Sequence, residues 1–87
     1  KQGNVENASQ QMQSLLKLNP RHAEALNYLG YMWVERGIRL DEARNFLTQA
    51  KELKPQSPEI LDSWGLYLFR VGKVGEAILA FQKAEAM

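Results

Sequence analysis

A repeat of about 35 residues is the feature of this sequence that most limits its possible folds. Gly30 and Gly65 lie 35 residues apart, and the same interval separates Gly37 from Gly72. Self-similarity at this period is typical of chains in which each supersecondary unit packs on the unit before it. The sequence therefore predicts a stack of similar units rather than one irregular core.

The first full unit contains one residue more than the second. The first reads GIRL at 37–40, where the second reads GKV at 72–74, and beyond this point the interval shortens to 34 residues. Insertions are tolerated best in turns, because there they disturb no packed face. The shift predicts a turn between two helices in each unit.

Helical spacing of apolar residues supports this interpretation, as in the series Leu26, Leu29 and Trp33. Gly37 and Gly72 stand where a helix has to end, and Ser57-Pro58 is a typical helix start. We predict an all-α chain without strands, with five helices at about 5–17, 22–36, 40–53, 57–70 and 74–86.

The repeated residues follow one pattern. They are Leu26-x2-Leu29-Gly30-x2-Trp33, Ala43-x3-Leu47 and Pro55 in the first full unit, and Leu61-x2-Trp64-Gly65-x2-Leu68 and Ala77-x3-Phe81 in the second. An upstream half unit supplies Ala8-x3-Met12 and Pro20. This pattern resembles the tetratricopeptide repeat, whose signature is W-x2-L-G-x2-Y, A-x3-F and P. The departures keep apolar volume: Leu26 and Leu61 replace the tryptophan, and Leu68 replaces the tyrosine.

The resemblance implies a right-handed helical-repeat solenoid of antiparallel helix pairs. Residues 1–20 would form the second helix of a truncated unit, and 21–55 and 56–87 two full units, so we expect a longer parent protein. On this interpretation the small residues, such as Gly30 and Ala43, lie where helices cross closely. Trp33, Trp64 and Phe81 are expected in the core.

Family members bind partner proteins in a concave groove lined by their first helices, so the same function is expected here. The implied groove residues are Asn27, Tyr31, Val34, Glu35, Asp62, Leu66, Phe69 and Arg70. For Tyr31 and Phe69, groove and core positions stay equally open, whereas core packing is favoured for Val34. Acidic side chains on the same stripes, at Glu24, Glu59 and Asp62, argue against a clamp for a C-terminal carboxylate.

Other functions have less support in the sequence. The formal net charge is +1, without the basic excess of a nucleic-acid-binding protein. There is no cysteine, and His22 is the single histidine, so we expect no catalytic residue, cofactor or metal. No membrane insertion is expected, and both the cytoplasm and the periplasm remain open as compartments. The parent is expected to be bacterial.

A second interpretation is that the chain is a structural segment of a larger assembly. Its last predicted helix carries Ile78, Leu79 and Phe81, and no later helix in the chain can cover them. Uncapped ends of a solenoid leave apolar surface in water. Self-association through terminal helices is therefore a further expectation.

Overall fold

The computed structural model describes residues 2–87, with side chains from residue 7 onward. The described residues form five α-helices and no strands. They are α1 (Gln2–Leu18), α2 (Ala23–Arg36), α3 (Leu40–Leu53), α4 (Pro58–Arg70) and α5 (Val74–Ala86). The predicted all-α helical repeat is confirmed, and α1 begins three residues earlier than expected.

The helix ends follow the local signals in the sequence. His22 caps α2, because its Nδ1 atom accepts a hydrogen bond from the N–H of Ala25 at 3.1 Å. Ser57 caps α4 in the same way through Ile60. Gly37 follows α2 with a φ of 71°, in the left-handed region that glycine adopts without a steric penalty. These contacts satisfy backbone groups that a helix leaves unpaired at its ends.

The turn with the extra residue has an unusual backbone. Arg39, directly before α3, has a φ of 48°, and no other non-glycine residue of the described chain has a positive φ. A left-handed conformation costs a non-glycine residue roughly 1–2 kcal/mol. The inserted residue is therefore accommodated with local strain rather than by a loose loop.

The helices form two layers. In the inner layer, α2 packs directly against α4. In the outer layer, the described Cα atoms of α1, α3 and α5 stay more than 8 Å from those of the other two helices, and each helix packs on α2 or α4 instead. Because the inner helices are in contact and the outer helices are spread apart, the array curves with α2 and α4 on its concave face.

Small and branched residues fill the space between the layers. One buried cluster centres on the contact between α2 and α3 and consists of Leu29, Trp33, Val34, Ala43 and Leu47. A second joins α2, α3 and α4 and consists of Ala23, Leu26, Ala50 and Ile60. The expected core position of Trp33 is confirmed.

Two first-helix glycines allow the closest approaches. A Cβ atom on Gly30 would stand 2.7 Å from Cγ of Leu47, and one on Gly65 would stand 2.6 Å from the ring of Phe81. Both distances are far below van der Waals contact. The repeated glycine is thus required by packing between the helices of each pair.

Two expected core residues are less buried than predicted. Phe81 is 37% exposed, because its ring covers Gly65 from one side while the other side of α5 has no neighbour among the described residues. Trp64 is half-buried and stacks on Tyr67, with ring centroids 5.2 Å apart. Val34, in contrast, is fully buried and lies outside any surface groove.

Gly30→Ala and Gly75→Ala should change stability in opposite directions. Both replacements raise helix propensity, by about 1 kcal/mol in a helix interior. At Gly30 the added methyl group overlaps Leu47, and overpacking of this kind costs about 1–3 kcal/mol. Near Gly75, in α5, no atom lies within 4 Å of the added group, so a gain of about 0.4–1 kcal/mol is expected. Urea unfolding of both variants measures the difference.

The stability of the Gly65→Ala variant should lie between those of Gly30→Ala and Gly75→Ala, because the ring of Phe81 is partly exposed and can move away from the new methyl group. Equal free energies of unfolding for the three variants would contradict the proposed helix spacing.

Candidate functional site

A largely apolar surface depression lies where α2 and α4 run side by side on the concave face. It encloses about 550 Å³. Its lining, which we call the acidic groove, consists of Met12, Glu24, Asn27, Tyr28, Tyr31, Glu59, Asp62 and Ser63. A depression of this size that combines aromatic and charged side chains is typical of a recognition surface.

The charge in the acidic groove is negative. Three carboxylates, from Glu24, Glu59 and Asp62, line it without a lysine or arginine among the lining residues. No ion pair within the described residues involves Glu59 or Asp62, although Glu59 accepts a hydrogen bond from the hydroxyl of Ser57 at 3.2 Å. These two carboxylates therefore remain available to a positively charged partner.

Glu24 differs because it already has a partner inside the chain. The ammonium group of Lys54 donates to Oε2 of Glu24, which joins the end of α3 to the first turn of α2. This hydrogen bond is the main cause that holds the pKa of Glu24 below its ordinary value of 4.5. Glu24 thus contributes more to the local structure than to the free negative charge of the groove.

Asn27 places a polar atom in the groove wall without a partner. Its Oδ1 atom is buried and accepts no hydrogen bond within the described residues. An unsatisfied buried acceptor costs about 1–3 kcal/mol. Because this oxygen has almost no accessible surface, it adds a local energetic cost beside the groove rather than a contact for a ligand.

The two tyrosines provide the apolar part of the surface. Tyr31 is 40% exposed, and Tyr28 is half-buried. Rings of this kind contribute both contact area and attraction for cations over their faces. Together with the side chain of Met12 they form a floor between the carboxylates.

Three of the eight residues expected in the groove line it: Asn27, Tyr31 and Asp62. Leu66 is half-buried against the cluster of Leu29 and Trp33. Phe69 is 57% exposed, one turn or more beyond the acidic groove on α4.

The two remaining residues expected in the groove, Glu35 and Arg70, contact each other. Nη2 of Arg70 donates to the backbone oxygen of Glu35 at 2.6 Å. This oxygen lies in the last turn of α2, where carbonyl groups lack helical partners and a positive charge is favourable. Arg70 therefore links the C-terminal ends of the two inner helices.

Two lining residues were missing from the sequence-based groove, Tyr28 and Met12. Tyr28 stands four residues after Glu24 and three before Tyr31, so helical spacing places it on their face and could have identified it. Met12 belongs to α1, and its motif position marks it as a packing residue. Only the placement of α1 beside α2 shows that it also reaches the groove.

The carboxylates of the groove do not form a metal centre. Within the part of the chain that the structure describes, no group of three or more histidine, cysteine, aspartate or glutamate side chains could hold a metal ion. None of the described helices has the length and apolar character needed to cross a membrane.

Comparison with known proteins agrees with the observed architecture. The family model described as "Tetratricopeptide repeat" matches residues 1–58. A curated protein of Pseudomonas aeruginosa, named TPR repeat-containing protein PA4667, is 35% identical over 77 residues, which are 88% of this chain. The aligned part is 13% of that protein, so the chain spans a small share of its relative. A relative from this organism fits the bacterial origin expected from the sequence.

Glu24→Gln should reduce stability at neutral pH and lose this effect in acid. The pKa of Glu24 is lowered in the folded state, so its contribution is present above the unfolded value of 4.5 and disappears as the pH falls through the lower folded value. The side chain is 63% exposed, and surface ion pairs contribute at most about 1 kcal/mol. Unfolding at pH 7 and pH 3 measures this; a difference that is the same at both pH values would contradict it.

Proposed function

The chain belongs to the tetratricopeptide repeat family, and we propose that it binds a partner protein through the acidic groove of its concave face. Proteins of this family generally mediate protein–protein interactions or act as scaffolds, and they are typically not enzymes. The observation that carries the proposal is the accumulation of free carboxylates and tyrosine rings between α2 and α4.

The chemistry of the groove favours a segment that combines a positive charge with apolar side chains. Glu59 and Asp62 are free to accept hydrogen bonds from a lysine or arginine. Tyr28 and Tyr31 lie beside them and would contact the aliphatic part of the same side chain. A terminal carboxylate would instead meet like charges, so a segment from within a partner chain fits better.

The proposed binding surface extends along α4 beyond the acidic groove. Phe69 is well exposed, and burying an aromatic side chain against a partner contributes about 1.5–3 kcal/mol. Leu66 connects Phe69 with the groove, and the pair of Glu35 and Arg70 forms the polar edge. An apolar centre with a polar rim is the usual arrangement of a protein-binding surface.

Assembly of the parent protein is a second candidate function. One face of α5 carries exposed apolar side chains, with Ile78 49% and Leu79 66% exposed. The equivalent residues of α3 are Arg44 and Asn45, which are polar. This difference favours contact of α5 with another protein surface, and two copies of the chain can provide such surfaces for each other.

Removing the free charges should weaken binding without affecting the fold. A random peptide library selected on the intact chain should yield sequences with lysine or arginine next to apolar residues. Each charge-assisted hydrogen bond contributes about 1.5–3 kcal/mol. The double variant Glu59→Gln with Asp62→Asn should therefore bind the selected peptides with an affinity at least about tenfold lower. Glu76→Gln, an exposed acid in the first turn of α5, is the matched control and should leave affinity unchanged.

Peptides selected without any positive charge, or equal affinities for the double variant and the control, would contradict the proposed groove. Thermal unfolding of each variant separates loss of binding from loss of structure.

Self-association should depend on the exposed face of α5. Sedimentation from micromolar to millimolar concentration should show growing particle size for the chain, and a monomer for the variant Ile78→Glu with Leu79→Glu. The reason is that charged groups cannot be buried in an apolar contact without a partner. Lys73→Gln is the control, and a wild-type chain that stays monomeric throughout would exclude this role for α5.

A further inference from the structure

A second depression lies in the outer layer, between α1 and α3. It consists of two adjoining pockets of about 290 and 330 Å³, which share Trp33 and Arg39. We call it the basic cleft and define it by the lining residues that matter for recognition: Gln13, Lys17, Trp33, Arg36, Arg39 and Phe46. None of them lines the acidic groove.

The cleft combines an aromatic floor with positive charges at its rim. The rings of Trp33 and Phe46 meet at a centroid distance of 5.1 Å. Lys17 comes from α1 and Arg36 from the end of α2, and no ion pair of the described residues involves either. Glu42 is the single acid of the lining, and it lies 3.5 Å from the guanidinium of Arg39.

Arg39 is held over this floor by the turn with the extra residue. Its guanidinium carbon lies 5.6 Å from the centre of the Trp33 ring. Its backbone adopts a φ of 48°, a conformation that L residues rarely adopt. The second unit has neither the insertion nor a positive φ at Lys73, the residue before its outer helix.

Packing of repeats does not require this combination of side chains. In the equivalent positions of the next unit, Lys17 is replaced by Glu52, Arg36 by Val71 and Phe46 by Ala80. The depression between α3 and α5 instead has two lysines, Lys51 and Lys83, beside the acid Glu52, and no aromatic ring lines it. The combination of an aromatic floor with three cations is therefore not repeated between these two helices.

We propose that the basic cleft is a second binding surface, which takes an acidic segment of a partner protein. Carboxylates of the segment pair with Lys17, Arg36 and Arg39, and an apolar or aromatic side chain between them packs on Phe46 beside Trp33, of which 5% is exposed. Arginine is suited to this role because its planar group binds a carboxylate through two parallel hydrogen bonds. The charge is opposite to that of the acidic groove, so the two surfaces select different segments.

Protein is favoured over nucleic acid as the occupant. Three cations in a confined cleft match a few carboxylates, whereas an RNA chain needs a basic track along which its phosphates can bind. The formal net charge of the whole chain is +1, and its concave face is acidic. A long polyanion would therefore meet repulsion close to the cleft.

The test uses the intact chain with three fluorescein-labelled probes. They are a short peptide of alternating glutamate and phenylalanine, the same peptide with glutamine for glutamate, and a polyuridine RNA. We expect the acidic peptide to bind and the glutamine peptide to bind at least tenfold more weakly. In a Trp64→Phe background, the fluorescence of Trp33 should change when the acidic peptide binds, because Trp33 is then the remaining tryptophan.

Two variants connect the binding to the cleft. Arg36→Glu should lower the affinity for the acidic peptide at least tenfold. Arg39→Gly removes the guanidinium but suits the left-handed backbone, so affinity should fall while the melting temperature stays equal or rises. Arg44→Gln, a cation on α3 that lines a different depression, is the matched control and should leave affinity unchanged.

The opposite results would overturn the proposal. They are equal binding of the acidic and glutamine peptides, tighter binding of RNA than of the acidic peptide, or an unchanged affinity in both Arg36→Glu and Arg39→Gly. Concentration-dependent association of the chain that Arg36→Glu abolishes would identify a second copy as the occupant instead. Asp62→Asn should leave the affinity for the acidic peptide unchanged. A result that contradicts the acidic groove can therefore be distinguished from one that contradicts the basic cleft.

Discussion

The close contact between the two helices of each pair is the interaction on which the other features of this chain depend. Leu47 occupies the space that a side chain on Gly30 would need, and Phe81 does the same at Gly65. Because these contacts draw α3 onto α2 and α5 onto α4, they leave the first helices free to pack on each other. The inner layer closes and the outer layer spreads, which produces one concave surface and clefts between the outer helices.

Each of the two candidate surfaces follows from this arrangement but differs in chemistry. The acidic groove lies where α2 and α4 touch, and its free carboxylates, Glu59 and Asp62, come from one helix. The basic cleft lies where α1 and α3 stay apart, and its charges come from three different segments. A net charge of +1 therefore conceals two surfaces of opposite sign. Segregation of charge over a small molecule can steer different partners to different faces.

Prediction from the sequence succeeded where a structure depends on neighbouring residues. The spacing of apolar residues, the serine–proline start of α4 and the glycine after α2 are local signals, and each helix lies close to its expected range. Prediction was weaker for the exposure of single residues on the first helices. Core packing was favoured for Val34, which is fully buried, but the position of Tyr31 stayed open, and Tyr31 is 40% exposed. Their difference depends on where α4 lies against α2, which no local pattern contains.

The sequence by itself determined the repeat, the helices with their ends, and membership of the tetratricopeptide repeat family. These follow from short-range chemistry: helical periodicity, capping groups and the backbone freedom of glycine. The tertiary structure was needed to bury Oδ1 of Asn27 without a partner and to place the guanidinium of Arg70 on the carbonyl oxygen of Glu35. It was also needed to bring Lys17 and Arg39 to one cleft. Contacts of this kind depend on distances and angles between whole helices, and a shift of about one ångström would remove a hydrogen bond that the sequence pattern cannot register.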